Sequence, residues 1–382
     1  MQERQTILVA MDSFKGSLSS AQANGAVMEG IRQINPNQSI QSIEVADGGE
    51  GTVAALTGPF NLTRRKVTVH DANGRPTEAV YGHNKKTKRA VIEVASACGL
   101  PQLKKEERNP LTATSFGVGQ LITDALSSGA RRIYLGLGGS ATTDAGVGML
   151  QALGYRFLAQ DGTEITEMQE LTSLASIDET RVHPALEDCQ FTIICDVDNV
   201  FYGPTGAAYV YGPQKGASER DVVELNDRLI HVAKVITEHT GIDVQSIQGA
   251  GAAGGLGGAC SSLLQAELKR GAELILEETG VMAQIADYAF IFSGEGKIDG
   301  QTFQGKLPQA IGQFGHRFGI PVILLGGSVD APIEHIRTAG ITAAFSITQQ
   351  PVALEEMMQP KKAYDTLKYT AANLYALWMT MR

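Results

Sequence analysis

One unbroken apolar run, Thr6 to Met11, stands near the start of the chain, and three more, Tyr288 to Ser293, Ile320 to Gly326 and Ala343 to Ile347, stand near its end. Apolar runs without polar alternation are the pattern of parallel strands covered on both faces. Ser39 to Ala46 reads as a further strand. A helix joins it to the first: an S-x-x-Q capping box at Ser19 and Gln22 starts that helix, which ends near Gln33. These five strands from both chain ends predict an α/β fold with a doubly wound, Rossmann-like parallel sheet.

The middle of the chain has another texture. Asn61 to Val69, Thr77 to Tyr81 and Lys88 to Val94 read as an antiparallel meander, turning at Asn73-Gly74 and at the basic stretch Asn84 to Thr87. Helices are expected at 115–127 and 143–153, and strands at 132–136 and 191–195. The expected organisation is a discontinuous α/β domain of residues 1–58 and 284–382, with residues 59–283 as a large inserted mixed α+β domain. Ligands of such folds gather at strand C-terminal ends and in inter-domain clefts, so the active site is expected in the cleft between the domains.

Composition excludes several classes. The net charge of −9 disfavours generic nucleic-acid binding. No apolar run approaches the roughly 18 residues of a membrane span, and no charged stretch typical of a signal peptide precedes the first one. The four cysteines (98, 189, 195 and 260) form no C-x-x-C pair, as suits reduced thiols. A cytoplasmic enzyme of small molecules is the expectation. The 43 glycines exceed the roughly 27 that ordinary usage gives, and they cluster in short loops.

Those loops hold the candidate chemistry. Asp12-Ser-Phe-Lys-Gly-Ser17 leaves the first strand toward a helix; Asp12, Ser13 and Lys15 could meet an anionic, hydroxylated ligand there. Asp47-Gly-Gly-Glu-Gly-Thr52 brings two carboxylates, Asp47 and Glu50, beside Gly48 and Gly49, whose backbone a ligand could approach closely. Gly136-Leu-Gly-Gly-Ser-Ala-Thr-Thr-Asp144 opens a further helix. With Asp161 some twenty residues on, it matches a dinucleotide fingerprint. Gly249-Ala-Gly-Ala-Ala-Gly254 is a second match, with glycines at 255, 257 and 258. An anion cradle of backbone N–H groups explains either loop without a nicotinamide and is the preferred reading, with plain close packing the alternative. Asp196 and Asp198 end the strand before them and could share one face with a divalent cation; a simple turn is the other explanation. Lys215 lies in Gly212-Pro-Gln-Lys-Gly216, where it could reach a phosphate or carboxylate. Ser293-Gly-Glu-Gly-Lys-Ile-Asp-Gly300 offers Glu295, Lys297 and Asp299, as a ligand loop or a salt-bridged turn. No Walker-type P-loop, protein-kinase motif set, G-x-S-x-G elbow or H-E-x-x-H pair occurs. An inventory of carboxylates, lysines and backbone amides suits phosphoryl transfer.

At these loops the chain resembles the bacterial type-1 glycerate kinases nearly end to end. The resemblance rests on Asp12-Ser-Phe-Lys-Gly-Ser, Ala46-Asp-Gly-Gly-Glu-Gly-Thr, Asn109-Pro-Leu-Thr-Ala-Thr and Gly136-Leu-Gly-Gly-Ser-Ala-Thr. It continues in Cys195-Asp-Val-Asp-Asn, Gly212-Pro-Gln-Lys-Gly-Ala, Gly249-Ala-Gly-Ala-Ala-Gly-Gly-Leu-Gly and Gly294-Glu-Gly-Lys-Ile-Asp-Gly. Two departures stand out. The family usually has Asn and Gly where this chain has Thr143 and Ala145, and commonly has Pro where this chain has Val200.

The resemblance implies ATP- and Mg²⁺-dependent phosphorylation of D-glycerate, with 2-phosphoglycerate favoured over 3-phosphoglycerate. Lys15 is then expected on the substrate carboxylate. Asp47, or failing it Asp196, takes the hydroxyl proton. Gly138, Gly139 and Ser140, with Gly254, Gly255, Gly257 and Gly258, face the nucleotide. Asp196, Asp198 and Glu295 are the expected metal ligands. A monomer or small homo-oligomer is expected. Two rivals stand beside this reading: an NAD-dependent oxidoreductase using Gly136 to Ala141 with Asp161, and a non-catalytic anion-binding protein.

Overall fold

Ile7 to Met11 are completely shielded from solvent in β1 (Thr6–Met11), as a strand covered on both faces requires. The helix Ser20–Ile34 follows, with its capping box formed: Gln22 N donates to Ser19 Oγ (3.2 Å) and Ser19 N to Gln22 Oε1 (2.9 Å). β2 (Ile40–Ser42) is shorter than the expected Ser39–Ala46. The reason lies in that helix. Asn24 Nδ2 donates to the Ile43 carbonyl (2.8 Å), and Val45 N donates to Ser20 Oγ (3.1 Å). These side chains occupy backbone groups that a longer strand would have used.

The computed structural model describes residues 5–46, 48–303 and 307–381. It divides into two compact units, one of residues 1–47 and 271–382 and one of residues 48–270. The second contains β3 (Thr63–His70), β4 (Pro76–Asn84), β5 (Arg89–Glu93), β6 (Arg132–Gly136), β7 (Arg156–Ala159), β8 (Leu174–Asp178), β9 (Gln190–Ile194) and β10 (Glu267–Lys269). β11 (Tyr288–Ile298), β12 (Val322–Val329) and β13 (Ala343–Ser346) return to the first.

The first unit holds one five-stranded sheet, in the order β13-β12-β11-β1-β2, with every neighbouring pair parallel. The N-terminal strands thus pair with the C-terminal ones, as the apolar runs require. The helices Ser20–Ile34 and Pro360–Thr380 cross so closely at Gly30 that a Cβ there would collide with the Lys368 carbonyl. Tyr375 is fully buried beneath them, and Trp378 lies 4.9 Å from Phe290 between ring centroids.

The second unit carries a six-stranded sheet, β10-β9-β6-β5-β4-β3. β3, β4 and β5 form the antiparallel meander, while β5, β6, β9 and β10 run parallel. A small antiparallel pair, β7-β8, stands apart. The divisions fall at residues 47/48 and 270/271, whereas the sequence pattern put them near 58 and 284. Thr52–Phe60 stays with the inserted unit because Val53 N donates to Glu93 Oε1 and the Phe60 ring rests 4.8 Å from Tyr134. Gly271–Glu278 packs instead on the helix Leu307–Phe318. Among the described residues no helix is long and apolar enough to cross a membrane. All four cysteines are free thiols.

Candidate active site

In the first unit the chemistry gathers where β1 and β11 lie side by side. Asp12 N donates to the Gly294 carbonyl (2.8 Å), and Ser13 N to Asp12 Oδ1 (2.6 Å). Phe14 and Leu18 then close a tight turn through reciprocal backbone bonds of 2.8 and 3.0 Å. Gly16 at its tip has φ +78°, a conformation that favours glycine. Lys15 is thereby held out to solvent. The helix begins only at Ser20 and is capped internally, so the turn rather than the helix terminus presents Lys15.

The stretch after Ser293 is a strand, not the loop expected from its glycines and charges. β11 continues to Ile298 beside β12, with Glu295 paired to Gly326 and Lys297 to Ser328. Gly294 lets the Leu325 carbonyl approach where a Cβ could not stand. A Cβ on Gly296 would lie 3.5 Å from Phe14 Cα and 3.6 Å from Lys15 N, so the two segments are close neighbours. Glu295 is buried there. Lys297 and Asp299 form a 3.1 Å ion pair, and Asp299 N donates to Thr302 Oγ1 (2.9 Å). That is the salt-bridged turn rather than a pair of groups held open for a ligand.

In the second unit two glycine loops lie backbone against backbone. Gly138 N donates to the Gly48 carbonyl (2.9 Å). A Cβ on Gly138 would be 2.5 Å from Gly49 Cα, and one on Gly136 2.6 Å from the Gly48 carbonyl oxygen. Gly48 and Gly49 are buried, while Glu50 and Gly139 are exposed. Asp47 lies outside the described residues. The helix Thr52–Phe60 has no side-chain cap of its own. Glu93, which ends β5, supplies the acceptor instead, taking Val53 N at 2.7 Å. Burial pushes the Glu93 carboxyl above its ordinary range, against the lowering effect of the backbone donors Val53 and Gly51.

Lys215 turns inward, not out toward solvent. Its ammonium donates to Ser140 Oγ (3.1 Å) and to the Thr142 carbonyl (2.5 Å). Burial pushes its pKa down to about 7, with the Asp144 charge acting in the opposite direction. Asp144 is buried too, and accepts from Ser115 N and Ser115 Oγ, both at 2.7 Å. Desolvation raises its pKa. With Asp144 so engaged, Ala145 and Gly146 take φ values of +56° and +71°, and the helix expected from residue 143 starts at Val147. Position 145 therefore asks for the glycine that the resemblance led one to expect there.

Gly254, Gly255, Gly257 and Gly258 are all buried. A Cβ on Gly254 would strike Thr142 and Thr143. On Gly255 it would sit 2.9 Å from Ala145 Cα, and on Gly258 2.6 Å from Phe201 Cδ2. Gly254 and Gly255 thus pack behind the 138–146 loop, while Gly258 packs on Phe201 and Val244.

β9 ends at Ile194, one residue before Cys195. Asp198 is claimed by Arg270, whose Nη2 lies 2.8 and 2.9 Å from its two oxygens. Asp196 is half-buried at the strand end. Among the described residues no group of three or more His, Cys, Asp or Glu side chains could hold a metal ion. Magnesium bound to a nucleotide commonly takes only one or two protein carboxylates beside the phosphates. Asp196 has the donor chemistry for that arrangement; Asp198 would first have to leave Arg270.

The dinucleotide reading loses its acid. Asp161 is exposed in the turn after β7, where it accepts from Thr163 N (2.9 Å). β7, which it follows, belongs to the separate antiparallel pair with β8 and not to the sheet of β6, whereas ribose recognition uses the neighbouring parallel strand. Glu93, Asp144 and Arg270 are the residues sequence reasoning missed. Glu93 gave a signal as an acid ending a strand beside two glycine loops, and Asp144 as the acid closing the third glycine loop; Arg270 gave none.

Comparison with known proteins agrees with this geometry. The model of the glycerate kinase family matches residues 7–379. A protein of Escherichia coli K12 named glycerate 2-kinase is 40% identical over 371 residues, covering 97% of both chains. A Halalkalibacterium halodurans protein named glycerate kinase is 44% identical over 355 residues, covering 93% of each. The crystal structure of a Salmonella typhimurium LT2 protein provisionally named glycerate kinase 2 superposes with a TM-score of 0.84 at 36% identity, covering 98% of both chains. The chain belongs to the glycerate kinase family.

Proposed function

We propose that this chain transfers the γ-phosphoryl group of ATP to the 2-hydroxyl of D-glycerate. The observation that carries the reading is the seating of the Gly48–Gly49 backbone on Gly136–Gly138, pinned from within by Lys215 through Ser140 and Thr142. Such packing, backbone against backbone, holds the adjoining exposed main chain at Gly139 in a fixed position, which is what a transferring phosphoryl group needs. The name of the E. coli relative, glycerate 2-kinase, supports the choice of hydroxyl.

In this reading Gly138, Gly139 and Ser140 face the nucleotide phosphates. Lys15, with Asp12 and Ser13 on its turn, meets the glycerate carboxylate and hydroxyls. Asp47 accepts the proton of the attacking hydroxyl, with Asp196 the second choice. Asp196 would hold the Mg²⁺ that accompanies ATP, with Glu295 the other candidate ligand and Asp198 kept on Arg270; bound there, the cation would neutralise charge on the phosphates. The reading requires both units to act on one pair of substrates. It makes the protein a cytoplasmic enzyme working as a monomer or small homo-oligomer.

A ³¹P NMR spectrum of the product formed from D-glycerate and ATP is the test. A phosphate on the secondary carbon supports the proposal, one on the primary carbon moves transfer to the 3-hydroxyl, and no new phosphate ester refutes it. Asp47→Asn should lower kcat with little change in glycerate affinity; an unchanged kcat would remove Asp47 from the role of base.

A further inference from the structure

The turn between β4 and β5 is a run of cations, Asn84-Lys-Lys-Thr-Lys-Arg89, for which the kinase chemistry has no use. It lies at the opposite end of the inserted sheet from the glycine loops. Arg89, Arg132 and Gln190 open β5, β6 and β9, whereas Glu93, Gly136 and Ile194 close them. Four strand steps separate the two ends, about 13 Å.

A cavity of about 700 Å³ occurs there, lined by Lys88, Arg89, Arg131, Arg132, Asp188 and Gln190. Four cations thus face one carboxylate in a chain whose overall charge is −9. Register places Arg89 directly opposite Arg132, and like charges so placed repel. Among the described residues no carboxylate forms an ion pair with Lys88, Arg131 or Arg132. Asp188, although present, pairs with none of them.

The cavity is also built rather than fortuitous. Lys88 has φ +55°, a costly conformation for a residue with a side chain. It turns the Lys88 carbonyl to accept both Arg131 N (2.8 Å) and Arg132 N (3.0 Å), fixing the basic turn to the start of β6. Arg89 is held over the Phe60 ring, 4.2 Å from its centroid. Arg131 Nη1 is anchored to the Ala130 carbonyl (2.7 Å).

We propose that this cavity binds a small, multiply charged anion bearing phosphoryl groups, at a site separate from the glycine loops. The volume is that of a small-molecule site. Arginines in a fixed array match phosphoryl oxygens. The acidic remainder of the chain disfavours an extended polyanion.

The test is calorimetric titration of the full chain with inorganic pyrophosphate at fixed free Mg²⁺. It is run with and without saturating non-hydrolysable ATP analogue and D-glycerate. One equivalent should still bind when both substrate sites are filled. Lys88→Gln/Arg132→Gln should weaken that equivalent by about tenfold or more, and Asp188→Asn should tighten it several-fold. Melting curves and turnover without pyrophosphate should match the wild type in both variants. The arm without nucleotide reads the cavity even if the kinase reading fails. Absence of binding, displacement by the ATP analogue, or equal affinity in the charge variants would overturn the proposal.

Discussion

The ammonium of Lys215 lies 3.1 Å from Ser140 Oγ, and the whole side chain is buried. The lysine sequence reasoning assigned to ligand contact therefore braces the loop assigned to the nucleotide. Lys215→Met should raise the KM for ATP by about tenfold or more, the scale of losing charge-assisted hydrogen bonds. Steady-state kinetics with varied ATP check it.

The same lysine gives stability a pH dependence. Its pKa falls from 10.5 to about 7 on folding. Across that window the unfolded chain holds the proton more tightly, so stability rises with pH from about 7 toward 10.5. Melting temperatures measured from pH 7 to 9 should climb more steeply for wild type than for Lys215→Met. Parallel slopes would show that the ammonium is not desolvated as described.

Gly138→Ala places a methyl 2.5 Å from Gly49 Cα, where backbone meets backbone and no side chain can yield. A loss of about 1–3 kcal/mol is expected, together with weaker ATP binding. Denaturant unfolding and a nucleotide titration measure the two effects.

Asp198 and Asp196 should separate under substitution. Asp198→Asn breaks a half-exposed pair with Arg270, worth about 0.2–1 kcal/mol, and should shift the Mg²⁺ requirement little. Asp196→Asn should raise that requirement by about ten- to a hundredfold. Activity against free Mg²⁺ for both variants decides; the reverse ranking would make Asp198 the ligand.

Glu93 caps Thr52–Phe60 from a neighbouring strand. Glu93→Ala should cost about 0.5–2 kcal/mol. Glu93→Gln keeps an acceptor and removes a charge that burial disfavours. Because the folded carboxyl titrates above its ordinary value, the wild type loses stability as pH rises past that value, so Glu93→Gln should gain on it as pH rises above the ordinary carboxylate range. Thermal melts across that range test the sign.

The five-stranded parallel sheet was legible because strands buried on both faces leave no polar alternation in the sequence. The capping box at Ser19 was legible because it is local. What escaped was set by partners distant in sequence. Nothing near Ile43 announces that Asn24 and Ser20 will occupy its strand's backbone groups, and nothing near Gly294 announces that β12 will run on beside it. Glycine in the 254–258 segment marks either a ligand or a neighbouring backbone, and only the positions of Thr142 and Phe201 distinguish the two. The inward turn of Lys215 depends on Ser140, seventy-five residues earlier.

β1 finds its hydrogen-bonding partner β11 only after some 280 residues of intervening chain. During synthesis the first forty residues therefore emerge with an unfilled edge, and they must wait while the inserted segment forms its own core. A nascent polypeptide halted before Tyr288 would leave the β11 edge of Ile7 to Met11 open, a ready target for chaperones, and the last domain to be completed would be the one begun first.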